Sequence, residues 1–425
     1  MIREEFLYFI WEHRFYRKDQ LRTTCGKSLD IIHHGTRNIH AGPDYVHARI
    51  RAGSLLWAGN VEIHSCSGDW KKHGHHLDPA YNNVILHVVN RFRGDVLNAA
   101  GCRVYTCIIS FPVQIYHLYD KLVGCDHWLP CQNQIRKVPD PIRKSWLFQL
   151  SRKRLEEKSG YSFRALKEGR LSREETFYRA MAAGFGIPNN SLPFLLLSSR
   201  IPHPLLTEKR DSLEDLEALL FGHSGLLEGI RSPSAYSERL LETYRKLSTK
   251  LSTRPLAAHL WHFHRLRPAA FPTVRIALFA ALLHHRIPME QTLLHSSSIA
   301  ELEQMLRVKA SAFWDTHHLF EKNVAPAPKY LGAQSVQILI INSIVPYMQA
   351  LGRADMSKSY IDRAENLLLQ VDAESNHIIK NWIKFGVKPR NARETQGLIQ
   401  LHHQFCSQKA CLHCIFGVYV LDQNR

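Results

Sequence analysis

Residues 42–78 read GPDYVHARIRAGSLLWAGNVEIHSCSGDWKKHGHHLD, and their alternation decides how the chain begins. In YVHARIRAG, Val46, Ala48 and Ile50 fall on one side, and His47, Arg49 and Arg51 on the other. Period-two alternation of this kind marks a strand with one buried face. After the AGS turn the pattern resumes. Leu55, Trp57, Val61 and Ile63 share one face, with Glu62 and His64 opposite. The stretch is therefore a hairpin with Asp44 where it enters and Glu62 near the end of its second strand. Asp69, His73, His75, His76 and Asp78 then follow within ten residues. Trp70 and Tyr81 are expected to pack this loop.

Upstream, Phe6, Leu7, Ile10 and Trp11 recur at helical spacing, which predicts a first helix. LRTTCGKSLDIIHHG predicts two short strands around a Cys-Gly turn. Downstream, NVILHVVN is a nearly continuous apolar run of the kind a doubly covered strand needs. RVYTCIISF adds one more strand. Residues 1–135 thus read as an α/β domain in the order helix, three strands, connection, strand. The segment between the Glu62 strand and the next is short and polar. From 136 to 425 the periodicity is helical, as in REETFYRAMAAGFGIPNN and YIDRAENLLLQV, with Gly and Pro between segments. This predicts a mainly α-helical domain that ends in a cysteine cluster.

The chain has 425 residues, 45% of them apolar, enough for more than one core. Lys and Arg outnumber Asp and Glu by 55 to 38, a net charge of +17 that attracts polyanions, of which nucleic acid is the commonest. The N-terminal apolar residues are interrupted by Glu4, Glu5, Glu12 and His13, which argues against a signal peptide. No uncharged apolar run of membrane-spanning length is evident, so no membrane span is expected. A cytoplasmic location follows as the expectation, and there nine cysteines favour metal binding or burial over disulfides.

Asp44 and Glu62 on adjacent strands form a two-carboxylate frame for a hard cation, Mg²⁺ or Mn²⁺. His64, two residues beyond Glu62 on the same face, is placed to orient a water. His73 and His75 extend this catalytic set, with Asp78 beside them, or bind a transition metal themselves. At the C-terminus Cys406, Cys411 and Cys414 are soft ligands for zinc or an iron–sulfur cluster, with His402, His403, His413 or Cys25 as candidates for a further ligand. Between them, Arg143, Lys144, Arg152, Lys153 and Arg154 make a basic helix suited to phosphate.

Pro43-Asp44, a strand hairpin and Glu62-Ile63-His64 together resemble the signature of PD-(D/E)XK nucleases, with a histidine where those enzymes have lysine. The resemblance implies a restriction-endonuclease-like αβββαβ core and metal-dependent hydrolysis of phosphodiester bonds in DNA or RNA. GPDY, GNVEIHSCSGDWKKHGHHLDPAYNNVILHVV, EALLFGHSGLL, RPAAFPTVRIALFAALL, INSIVPY and CSQKACLHC resemble a bacterial family, domain of unknown function 2851, over nearly the whole chain. That likeness implies no activity. Two other readings stay open: a catalytically inactive nucleic-acid-binding protein, and a scaffold whose helical region holds a protein partner.

Overall fold

The computed structural model describes residues 2–285, 289–296 and 298–423. They form two compact units. One comprises Met1–Arg143 and Leu401–Arg425, the other Lys144–Gln400. The cysteine-bearing tail, expected with the helices, belongs to the first unit instead. Long-range packing of this kind leaves no mark in local periodicity.

The first unit begins with α1 (Glu4–Glu12), which carries Glu4 and Glu5 in its first turn, where they favour the helix dipole. Phe6, Leu7, Phe9, Ile10 and Trp11 are all buried. β1 (Leu29–His33) and β2 (Thr36–Arg37) both pair with β3 (Tyr45–Ala52). The strand expected before β1 is reduced to two isolated bridges, Arg22 with Ser28 and Thr23 with Cys107. β3 turns through Gly53-Ser54 into antiparallel β4 (Leu55–Cys66), with Gly53 at φ +61° supplying the left-handed residue a two-residue loop favours. A short connection carrying α2 (Asp69–Lys72) leads to β5 (Val84–Arg91), parallel to β4. β6 (Val96–Leu97) and β7 (Arg103–Val104) form a small ribbon, and β8 (Thr106–Ile108) adds parallel to β5. The sheet order is β1-β3-β4-β5-β8. The first unit is thus a mixed sheet with helices, as the hairpin reading predicts. β5 lies inside the sheet and pairs in parallel on both sides, so its residues Val84–Val89 are all buried, which explains an apolar run broken only by His87. α3 (Val113–Gly124) follows the sheet and packs against the returned tail.

The second unit is mainly helical, with one small two-stranded ribbon, His317–Leu319 and Lys322–Asn323. α4 (Asp140–Lys167) starts at the boundary and runs into it, burying Leu147, Leu150, Leu155 and Ala165 at helical spacing. Ser172, Ser212, Ser234 and Asn376 each cap a following helix by accepting from a backbone N–H, a local signal that fixes where those helices start. The core gathers Phe185, Phe194, Phe221, Phe279, Trp314 and Tyr347. Among the described residues one continuous helical stretch, Ala333–Ala354, is long and apolar enough to cross a membrane, against the expectation of no such span. Its best window is 78% buried inside the structure, the position of a core helix.

Candidate functional site

The hairpin brings Asp44 and Glu62 together, and each carboxylate is anchored on the other residue's strand. The Asp44 N–H donates to Glu62 Oε2 at 2.9 Å, and the Ile63 N–H donates to Asp44 Oδ2 at 2.9 Å. Tyr8, reaching in from α1, donates its hydroxyl to Asp44 Oδ1 at 3.0 Å. Burial, and then the charge of Glu62, push the Asp44 carboxyl up to about 7. Both Asp44 oxygens and Glu62 Oε2 are thus committed to bracing the frame. Glu62 Oε1 faces inward.

The residues Glu62 Oε1 faces are histidines. His75 Nε2 lies 3.2 Å from it and His64 Nε2 3.5 Å. His64 Nε2 is also 3.2 Å from His73 Nδ1. His64, His73 and His75 each offer a ring nitrogen within 4.8 Å of the others, spacing that one metal ion would bridge. Glu62 and His64 are almost fully buried, at 5% and 2% exposure, and His75 is buried, while His73 is exposed at the mouth.

The loop after β4 places these rings. Asp69 Oδ2 accepts from the Cys66 N–H at 3.0 Å and closes the end of the strand. Gly74 at φ +79° reverses the chain after α2, so that His73 and His75 approach from either side of the turn. Trp70 is fully buried and donates its indole N–H to Leu97 O at 2.9 Å, and Tyr81 stacks on His75 at 3.8 Å between ring centroids. Both aromatics pack the loop, as expected. Asp78 is exposed and caps the turn at Pro79–Tyr81, accepting from Ala80 N–H, so it serves the loop rather than the centre.

His87 escapes the sequence reading, hidden inside the apolar run of β5. It is 0% exposed, and its Nε2 is 2.9 Å from His64 Nδ1. Burial, then the neighbouring histidines, hold His64 down at about 2 and His87 at about 3, so both rings are neutral. If His64 Nδ1 donates to His87, the His64 Nε2 lone pair points at His73 and Glu62, the arrangement a metal ligand with an outer-sphere partner adopts. A neutral His64 does not supply the positive charge of a lysine. Its position beyond the glutamate fits a ligand role instead.

The fit to a cation rests on the donor set. His75 Nε2 is buried and has no hydrogen-bond partner, yet it faces a carboxylate oxygen. Three imidazoles and a carboxylate suit a transition ion such as Zn²⁺ or Mn²⁺ better than Mg²⁺, which prefers oxygen ligands.

A second set of groups lies elsewhere in the first unit. Cys131, Cys411 and Cys414 are buried, and Cys406 is half-buried. Burial raises the Cys131 and Cys406 thiols and holds Cys411 at about 12, and in each case neighbouring thiols of this set raise it further. Cys125, at the end of α3, adds to the effect on Cys131 and Cys411. Of the other ligands expected for this cluster, Cys25 is exposed beside Thr23, His402 stacks on Trp128, and His413 faces Glu5. Cys131 sits too far along the chain from the other three for a spacing motif to reveal it.

The basic helix is less available than its sequence implies. Arg143 pairs with Asp140. Arg152 pairs with Glu365 at 2.9 Å but stays exposed. Arg154 turns inward and donates to Gln396 at 2.8 Å. Lys144 and Lys153 remain exposed.

No match was found among curated proteins or among solved structures. A family model described as "Protein of unknown function (DUF2851)" matches residues 4–377, which take in the histidine and carboxylate centre and stop before the cysteine-rich tail. With most of its length matched, the chain belongs to this family.

Proposed function

We propose that the first unit is a metal-dependent hydrolase of phosphodiester bonds in nucleic acid. His64, His73, His75 and Glu62 would hold the ion. The observation that carries the reading is Glu62 Oε1, which lies within 3.5 Å of two buried imidazole nitrogens while its partner oxygen is fixed by Asp44. A divalent cation bound there supplies Lewis acidity and a water that ionises near neutral pH. The chain's own residues do the rest. His87 orients His64, and Tyr8 and the Ile63 N–H hold Asp44, whose carboxyl is raised above the usual carboxylate range by burial and then by the charge of Glu62. Exposed His73 marks the open side. Two further features support a nuclease of PD-(D/E)XK type: the acidic pair on an antiparallel hairpin followed by a parallel strand, and the +17 charge that favours a polyanionic substrate.

The test incubates the full chain with labelled single- and double-stranded DNA and RNA in Mn²⁺, Mg²⁺ or Zn²⁺. Cleavage that disappears with chelator and in Glu62→Gln is expected. Wild-type protein that cleaves nothing under any of these conditions sinks the reading. Salt-sensitive binding without cleavage would then point to a nucleic-acid-binding protein, and a stoichiometric protein partner without nucleic acid to a scaffold.

Cys131, Cys406, Cys411 and Cys414 complete the proposal as a structural centre for zinc or an iron–sulfur cluster. Thiols that burial holds protonated and that raise one another are what a thiophilic metal would ionise. Elemental analysis should find one such centre per chain, absent from Cys131→Ser. Metal content unchanged by that substitution removes Cys131 from the ligand set.

A further inference from the structure

The sheet face that carries Glu62 and His64 does not end at the centre. Along β4, Ala58, Asn60, Glu62 and His64 alternate onto one face. The register pairs Arg49 with Ala58 and Arg51 with Leu56. Cross-strand partners share a face, so both arginines lie on the face of the centre. The irregularity in β3 falls between Tyr45 and Ala48 and does not disturb these pairs. At about 3.3 Å per residue, Arg49 and Arg51 stand roughly 13 and 20 Å from Glu62 along the strand direction.

The two ends of this face differ in cover. Over Glu62 and His64 lie Trp70, His75 and Tyr81. Toward the hairpin turn, Arg49, Arg51, Leu56 and Ala58 are exposed and Asn60 is half-buried, while the opposite face of β3 buries Ala48, Ile50 and Ala52. An open groove runs here, lined by His47, Arg49, Ala58, Asn60 and Asn83. Its floor is small, because Ala58 and Gly59 carry little side chain. Leu56, 65% exposed, adds an apolar surface beside the cations. Asp30 lies opposite Arg51 at 3.8 Å, an exposed pair of the kind that holds a cation only weakly.

We propose that this groove is a track for one strand of nucleic acid, with Arg49 and Arg51 gripping phosphates of the segment that leads to the centre. The inference rests on the hydrolase reading for its direction and deepens it by naming the substrate form. Successive cations along one face of β3 match a chain of regularly spaced phosphates. Leu56 offers a surface on which a base can lie, and Asn60 and Asn83 offer amides for base or sugar. A single strand is favoured over a duplex because the centre is recessed beneath the loop, where a flexible chain enters and a rigid double helix does not.

The test is binding alone, with full-length protein in chelator so that no cleavage intervenes. Fluorescence anisotropy follows a labelled single-stranded oligonucleotide, and the matching blunt duplex, across a salt series. For Arg49→Ala/Arg51→Ala the expected result is about tenfold weaker binding of the single strand, with a log–log salt slope smaller by about 1 to 2. Arg49→Lys/Arg51→Lys should keep the slope, and Lys121→Ala, which removes an exposed charge on α3, should keep the affinity. Wild-type protein that ignores the oligonucleotide, tighter binding of the duplex, or equal loss in Lys121→Ala overturns the track. Track-dependent binding by a chain that never cleaves would leave the track standing and remove the hydrolase reading.

Discussion

Both units bury titratable groups, but in opposite company. In the helical unit Lys158 donates to Asn342 and to Gln396, each at 2.6 Å, and Arg154 donates to the same Gln396. Neutral amides answer the cations, and Glu374 accepts from Thr395 and Gln396 close by. In the first unit like meets like. Asp44 braces Glu62, and His64 touches His73, His75 and His87. The helical network is satisfied within the chain. The histidine and carboxylate centre is not, since His75 Nε2 and His87 Nδ1 are buried without a hydrogen-bond partner. Burying an unsatisfied polar atom costs about 1–3 kcal/mol, a penalty that an ion ligated by His75 Nε2 would relieve at that atom.

The largest effect should come from removing a ligand at the centre. His64→Ala is expected to abolish stoichiometric binding of Mn²⁺ or Zn²⁺ at this site and to lower any metal-dependent cleavage by at least about a hundredfold. Isothermal titration of the protein checks the first part, and retained binding would make the centre a plain polar core. One shell out, His87→Phe keeps the buried ring volume in β5 and removes the partner of His64 Nδ1. Metal affinity should weaken about 10–100-fold, the range typical of groups that orient a ligand. Unchanged affinity would reduce His87 to a packing residue and weaken the contrast between the units.

How much of this was legible in the sequence depends on the reach of each signal. Alternation in residues 45–52 and 55–63 was enough for the hairpin, and with it for the shared location of Asp44, Glu62 and His64, because a strand's faces are set by its own residues. His73 and His75 were legible as neighbours on a turn. Tyr8 and His87 were not, since they arrive from α1 and β5 and look like ordinary members of an apolar helix and an apolar strand. Cys131 and the return of residues 401–425 to the first unit depend on tertiary packing alone. The basic helix misled for a related reason. Arg154 and Lys158 look like a solvated cationic stripe until Gln396 and Asn342, from distant helices, are seen to cover them.

A smaller effect is expected in the helical network. Burial, then the adjacent Arg154, bring the Lys158 ammonium down to about 7, against about 10.4 in an unfolded chain. A base depressed by folding contributes stability that is full above its unfolded pKa and is lost as pH falls toward the folded value. Wild-type protein should therefore gain thermal stability, from this group, between pH 7 and 10. Lys158→Met removes the ionising group at similar length and should flatten that part of the profile. Differential scanning calorimetry of both proteins across this range checks it, and an identical slope in the variant would show that the amides already compensate the charge.

The smallest effect tests the comparison from its surface. Arg152 and Glu365 form an ion pair at 2.9 Å with the Arg152 side chain about half exposed. Exposed pairs of this kind contribute about 0–1 kcal/mol, because solvent screens the charges and two long side chains must be ordered. Arg152→Ala should accordingly move the melting temperature by less than a few degrees in a unit of this size. A much larger loss would mean that the outer face of α4 carries structural load. It would also make Arg152 a structural residue, leaving Lys144 and Lys153, exposed on the same helix, to be tested in their own right.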